Sequence, residues 1–249
     1  MVGGFSKLRS VGALHVLIAL NTAVLAVVAV GNYFTDGSFT AALALPSGAL
    51  AAVSHPWTPV TYMFVQADVL HLLFNMLWLY CFGRIMLQFA SGRSLWLCYL
   101  GGGLVGALAF VAVYALAPAL GTATLMGASS AVIAVAVAVA FEVPDMQLNV
   151  WPLGPVRVKW IVVAIVALFC VGLTGSVASN VAHAGGAVFG VAFGMRGRVS
   201  GIFGVRGRSR ADMRAELDVL LDKVRVSGYN ALSSRDKKRL FELSHKVKK

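Results

Sequence analysis

Charge is what this 249-residue chain has least of: 12% of its residues are charged and only ten are acidic. A soluble globular domain carries about a quarter. With so few charges, 59% hydrophobic side chains and a mean hydropathy of +0.81, an ordinary water-soluble fold is excluded. The chain reads instead as an all-α, polytopic membrane protein. Cysteine is scarce too. Cys81, Cys98 and Cys170 lie inside apolar runs, are odd in number and lack metal-ligand spacing, so neither a disulfide framework nor a metal site is expected, and no cofactor is called for. The net charge of +11 does not imply nucleic acid, because the basic residues sit at the ends of apolar runs and in the tail, not on a soluble face.

What is present is a series of six apolar runs. The run from Val11 to about Tyr33 is too long for the core of a cleaved signal peptide and is expected to be a retained first span. Thr35 to Pro59 forms an external loop with room for partly embedded structure. A second span runs from Val69 to Gly83, after which Arg84 and Arg93 bracket a turn, and a third covers Leu95 to about Leu116. The fourth, Gly127 to about Val143, is short for a hydrocarbon core of about 30 Å, so its start should lie below the membrane surface. A fifth extends from Val158 to about Leu173, where Thr174-Gly175-Ser176 turns the chain. The sixth, from about Ser179 to Met195, carries Gly186, Gly190 and Gly194 at four-residue intervals, which makes one smooth helix face.

Of the 21 Lys and Arg residues, two precede the first span, two follow the second, two follow the fourth and fifteen follow the sixth, while the alternate loops hold none. The positive-inside rule then puts both termini in the cytoplasm and the starts of spans two, four and six on the outer side of a multi-pass plasma-membrane protein. Residues 1–195 form the membrane domain. Residues 196–249 form a basic cytoplasmic tail, expected to be a small soluble helical hairpin. Ser209 would cap its first helix, with Leu217, Leu220, Leu221 and Val224 as the apolar stripe and Gly228 as the stop; the second would run from about Arg235 to Val247, opened by Ser233 or Ser234. Such a hairpin would be drawn to anionic lipid.

Polar side chains inside a span are costly, so each one prompts a functional question. His71 and Asn75 in span two, Ser129 in span four and His183 in span six all fall near the outward ends of their spans, where one pocket can collect them. Each also has a packing reading: small residues bring helices together around Gly127-Ala128-Ser129-Ser130, and buried amides and imidazoles clamp helices. The chemical reading makes Ser129 a nucleophile, His183 its base and the His71/Asn75 pair, four residues apart on one face, donors to an oxyanion with the Ser129 backbone N–H. Gly185 and Gly186 would let span six lie close against span four. No Asp or Glu is placed to complete a triad, so the chemistry would rest on a dyad.

These residues resemble the rhomboid family of intramembrane serine proteases. The likeness runs from about Trp57 to Gly194: Trp57-Thr58-Pro59-Val60-Thr61-Tyr62-Met63-Phe64, His71-Leu72-Leu73-Phe74-Asn75, Phe82-Gly83, Gly127-Ala128-Ser129, and Ala182-His183-Ala184-Gly185-Gly186 with Gly190. The resemblance implies a six-helix rhomboid-like bundle with Ser129 as nucleophile and His183 as general base. It also implies oxyanion support from His71 and Asn75, with Gly127 shaping the start of span four, and transmembrane segments of other proteins as substrates, cut near the outer face. The chain departs from the family pattern in having Ser130 where a Gly usually follows the nucleophile, Ile133 where an aromatic ring often packs on the catalytic His, Gln66 at a position commonly His and Leu87 at one commonly Glu. Two other classes stand beside this one. An inactive relative that binds membrane clients generally lacks Ser129 or His183, and a small transporter would need charges near the midplane.

Overall fold

A computed structural model of the chain describes residues 2–170, 176–200, 210–229, 232, 233, 236, 237, 240, 241 and 244. They divide into two compact units, Met1–Phe203 and Gly204–Lys249.

The first unit is a helical bundle. A long first helix, α1 (Val2–Thr35), leads into a loop that folds into three short helices, α2 (Ser38–Leu43), α3 (Ala49–Ser54) and α4 (Thr58–Thr61). Within it the two-residue strand β1 (Leu45–Pro46) pairs antiparallel with β2 (Thr124–Leu125), just ahead of Gly127. Ser47 N–H donates to the Ala123 carbonyl (2.9 Å) and Gly127 N–H to the Tyr62 carbonyl (3.0 Å). The loop between α1 and α5 is therefore stitched by main-chain bonds to the approach to Ser129.

Next come α5 (Val69–Phe89), α6 (Gly92–Leu116), α7 (Ser129–Glu142), α8 (Val158–Cys170) and α9 (Val177–Ser200). Among the described residues, four helical stretches are long and apolar enough to cross a membrane, Gly12–Thr35, Val69–Phe89, Gly92–Leu116 and Val177–Arg196; α7 and α8 are shorter apolar helices. At 14 residues α7 is about 21 Å long, less than a hydrocarbon core. Every residue from Ser130 to Val139 is buried, as expected for a helix that is apolar all round and made of small side chains. It is the central element, packed by α5, α6, α8 and α9. The three glycines of α9 form the contact: a Cβ at Gly190 would stand 2.6 Å from the Ala134 carbonyl oxygen, and one at Gly194 2.8 Å from Phe141 Cβ.

Two expectations need correction. The second span does not end at Gly83. Helix α5 continues to Phe89, Arg84 lies within it with Nη1 donating to the Tyr80 hydroxyl (2.9 Å), and the turn falls at Ala90 and Ser91, where Ser91 Oγ caps α6 by accepting from Ser94 N–H. An arginine marks where a helix meets the interface, whereas a cap marks where it stops. Gly185 does not face α7: a Cβ there would meet Ala109 Cβ and the Val105 carbonyl of α6, both at 2.9 Å. Only Gly186 of that pair lies on α7.

Between α7 and α8 the chain forms a hairpin, β3 (Gln147–Val150) with β4 (Gly154–Arg157). Beside it Asp145 accepts from Lys159 Nζ (2.8 Å), and that bond holds the Asp145 carboxyl below its usual range. The expected end of the fifth span at Leu173 and the turn at Thr174 and Gly175 lie outside the described residues.

At the start of α5, Asp68 Oδ1 accepts from the His71 backbone N–H (2.8 Å). Asp68→Ala removes this cap and is expected to lower stability by about 1 kcal/mol, read as an earlier unfolding midpoint in detergent micelles.

In the second unit, α10 (Arg210–Ser227) buries Leu220, half-buries Leu217 and Val224 and leaves Leu221 exposed at the edge of the stripe. It stops at Gly228, which has φ +81° and donates to the Val224 carbonyl, as a C-terminal glycine does. Ser209 and most of the stretch from Arg235 to Val247 lie outside the described residues.

Candidate active site

Ser129 is the first residue of α7. The turn into it needs glycine: Gly127 has φ +119°, and a Cβ there would stand 2.7 Å from Cε1 of His71. Any other residue at 127 would meet both backbone strain and the imidazole. The tight turn that leads into Ser129 thus packs Gly127 directly against the His71 ring.

His183 comes to Ser129 from α9, with Ser129 Oγ 2.7 Å from His183 Nε2. The other ring nitrogen, Nδ1, is 3.0 Å from the Phe169 carbonyl oxygen of α8. A carbonyl can only accept, so Nδ1 carries the proton and Nε2 presents a lone pair to the serine hydroxyl. A main-chain carbonyl takes the orienting place that an acidic side chain holds in a triad. The Phe169 ring also stands edge-on to the imidazole, centroids 5.5 Å apart at 87°. The ring that Ile133 does not supply from α7 therefore comes from α8.

His71 is oriented in the same way. Its Nδ1 accepts from the Ala67 backbone N–H (3.2 Å), which puts the proton of the neutral ring on Nε2. Asn75 lies one turn further along α5. It shares with Ser129 and Phe169 a narrow cavity of about 20 Å³, room for about one water.

Ser130, the adjacent hydroxyl, points elsewhere. Tyr62 donates its hydroxyl proton to the Gly103 carbonyl (2.7 Å) and stands 2.8 Å from Ser130 Oγ, so the Ser130 proton is directed to Tyr62. Burial pushes the Tyr62 phenol above its ordinary range, which keeps it a donor. Ser130 is 1% exposed and bonded to a phenol, whereas Ser129 is the neighbour whose hydroxyl meets an imidazole.

Sequence reasoning passed over Phe169, Tyr62 and Asn21. A backbone carbonyl carries no side-chain signature, and Tyr62 pairs across 68 positions. Asn21, fully buried within α1, does carry the signal used for the other site residues, an amide inside a span. Among the described residues, no group of three His, Cys, Asp or Glu side chains is close enough to hold a metal ion.

The family model described as Rhomboid domain matches residues 53–199, a stretch that contains Gly127, Ser129, His183, His71 and Asn75. A second, described as a family of unknown function (DUF6576), matches residues 208–246. No curated protein matches the chain.

Proposed function

Since the chain belongs to the rhomboid family, we propose that it is an intramembrane serine endopeptidase that cuts transmembrane segments of other proteins with a Ser129–His183 dyad. The observation that carries this reading is the 2.7 Å contact between Ser129 Oγ and His183 Nε2, with the imidazole tautomer set by the Phe169 carbonyl.

In the proposed reaction Ser129 Oγ attacks the scissile carbonyl as its proton passes to His183 Nε2. Negative charge then develops on the substrate oxygen. Three donors can meet it: the Ser129 backbone N–H at the start of α7, which has no partner within the helix, His71 Nε2–H, and an Asn75 amide N–H. The imidazolium returns its proton to the leaving amine, and water hydrolyses the acyl enzyme. The six spans of the proposed enzyme are α1, α5, α6, α7, α8 and α9, with both termini in the cytoplasm and the site near the outer face of the plasma membrane. A substrate helix hides its carbonyls in internal bonds, so small or helix-breaking residues near that face would favour cleavage. Its partners are thus transmembrane proteins and the bilayer itself.

Co-expression with a reporter bearing a single transmembrane helix tests the reading. Wild type is expected to cut the reporter near its outer end, and Ser130→Ala to retain cleavage. His71→Ala and Asn75→Ala should each lower turnover by about 10²-fold, the scale of losing one oxyanion donor. Reporters that co-purify with the protein but are never cut would contradict the protease reading and favour a client-binding relative.

A further inference from the structure

Four buried polar side chains from different parts of the bundle form one continuous series that ends on Asn75. They are Tyr99 of α6, Asn21 of α1, Gln66 from the segment ahead of α5, and Asn75 itself, none more than 5% exposed. Burial makes each partner obligatory, because an unpaired amide away from water is costly.

The direction of every bond follows from two main-chain anchors. Tyr99 donates its hydroxyl proton to the Met63 carbonyl (3.2 Å). Asn21 Nδ2 donates to the Leu17 carbonyl (2.9 Å) and to the Tyr99 oxygen (3.0 Å), so both of its protons are engaged. Asn21 Oδ1 is then an acceptor only. It takes Gln66 Nε2 at 3.0 Å; the Tyr99 hydroxyl lies 3.3 Å from it, the single phenolic proton being shared between this oxygen and the Met63 carbonyl. With the Gln66 amide turned this way, its Oε1 faces Asn75 and accepts from Nδ2 at 2.9 Å. One Asn75 N–H is thereby held on Gln66, and the second proton of the same nitrogen is the one left for the cavity shared with Ser129.

We propose that Gln66, oriented by Asn21 and Tyr99, is a positioning residue that sets the Asn75 amide as an oxyanion donor. This role rests on the protease reading above. It joins α1 and α6 to the reaction centre through hydrogen bonds and gives Gln66 a task specific to this chain's amide series.

The test is a double-mutant cycle in purified enzyme with a peptide reporter. Gln66→Met keeps the volume and removes both polar atoms. It is expected to lower kcat by about tenfold with KM nearly unchanged, a fraction of the roughly 10²-fold that a displaced catalytic group can cost. In an Asn75→Ala background the same change should have no further effect on kcat. Gln66→Glu, whose neutral carboxyl can still accept from Asn75 and donate to Asn21, should recover most of kcat. If Gln66→Met does not accumulate in the membrane, Tyr99→Phe, which removes only the hydroxyl anchor, is read in the same cycle. A kcat loss that persists undiminished in the Asn75→Ala background, or a loss confined to KM, would overturn the positioning role alone. A wild type that cuts no reporter would overturn the protease reading and this role with it.

Discussion

Replacing Ser129 with Ala is expected to abolish cleavage, and replacing His183 with Ala to lower kcat by about 10⁴-fold, the upper end of what a positioned acid–base group contributes. That factor corresponds to about 5 kcal/mol of transition-state stabilisation. The two losses differ in kind. Without Ser129 Oγ there is no atom to form the acyl enzyme, and Ser130 cannot substitute because its proton is directed to Tyr62, itself bound to the Gly103 carbonyl. Without His183 the hydroxyl remains but the imidazole bonded to it is gone, and the Phe169 carbonyl was bonded to that ring. Ser129→Ala removes one half-buried oxygen and should unfold within a few degrees of wild type, so a dead, folded enzyme is the expected finding. Full activity in His183→Ala would remove the base from the account.

The second large effect comes from a residue with no functional group. A Cβ at Gly186 would run into the Ser130 carbonyl oxygen and stand 2.8 Å from its carbonyl carbon and 3.0 Å from its Cα. These are backbone atoms of the first turn of α7, with no rotamer to yield. Gly186→Val must therefore push α9 off α7 at the level of the dyad, and a shift of about 1 Å is enough to cost about 10²-fold in rate. Overpacking should also lower stability by about 1–3 kcal/mol. Gly12→Ala serves as the contrast, because no heavy atom lies within 4 Å of a Cβ there; in a helix that change should be neutral or slightly stabilising. Turnover and unfolding in detergent micelles measure both. A Gly186→Val enzyme with wild-type turnover would mean that the dyad does not depend on this contact.

Much of this arrangement is legible in the sequence because the membrane makes polarity expensive. His71, Asn75, Ser129 and His183 stand out as exceptions within apolar runs, and the spacing of Gly186, Gly190 and Gly194 announces a face that another helix can approach. The structure brings Ser129 and His183 to hydrogen-bond distance and gathers Gly127 and His71 around the same turn. Less visible is anything that depends on which distant residues meet. The orienting carbonyl of Phe169, the Tyr62 partner of Ser130 and the facing of Gly185 toward α6 arise from helix rotation and packing, which periodicity alone does not specify. The helix limit expected at Gly83 differs from the observed end at Phe89 for another reason: Arg84 signals proximity to water, while Ser91 carries the cap that starts the next helix. In the loop between α1 and α5, the strand β1, Ser47 and the Tyr62 carbonyl just past α4 are bonded to the Ala123–Gly127 segment, more than sixty residues away.

The central claim is that Ser129, activated by His183, is the nucleophile, and covalent labelling tests it most directly. Wild-type membranes treated with a fluorophosphonate and digested should yield a single phosphonylated serine in the peptide containing Met126-Gly127-Ala128-Ser129-Ser130. Fragmentation should place the adduct on Ser129, with none in Ser129→Ala and labelling strongly slowed in His183→Ala. An adduct on Ser130, or undiminished labelling of the Ser129→Ala protein, would contradict the account.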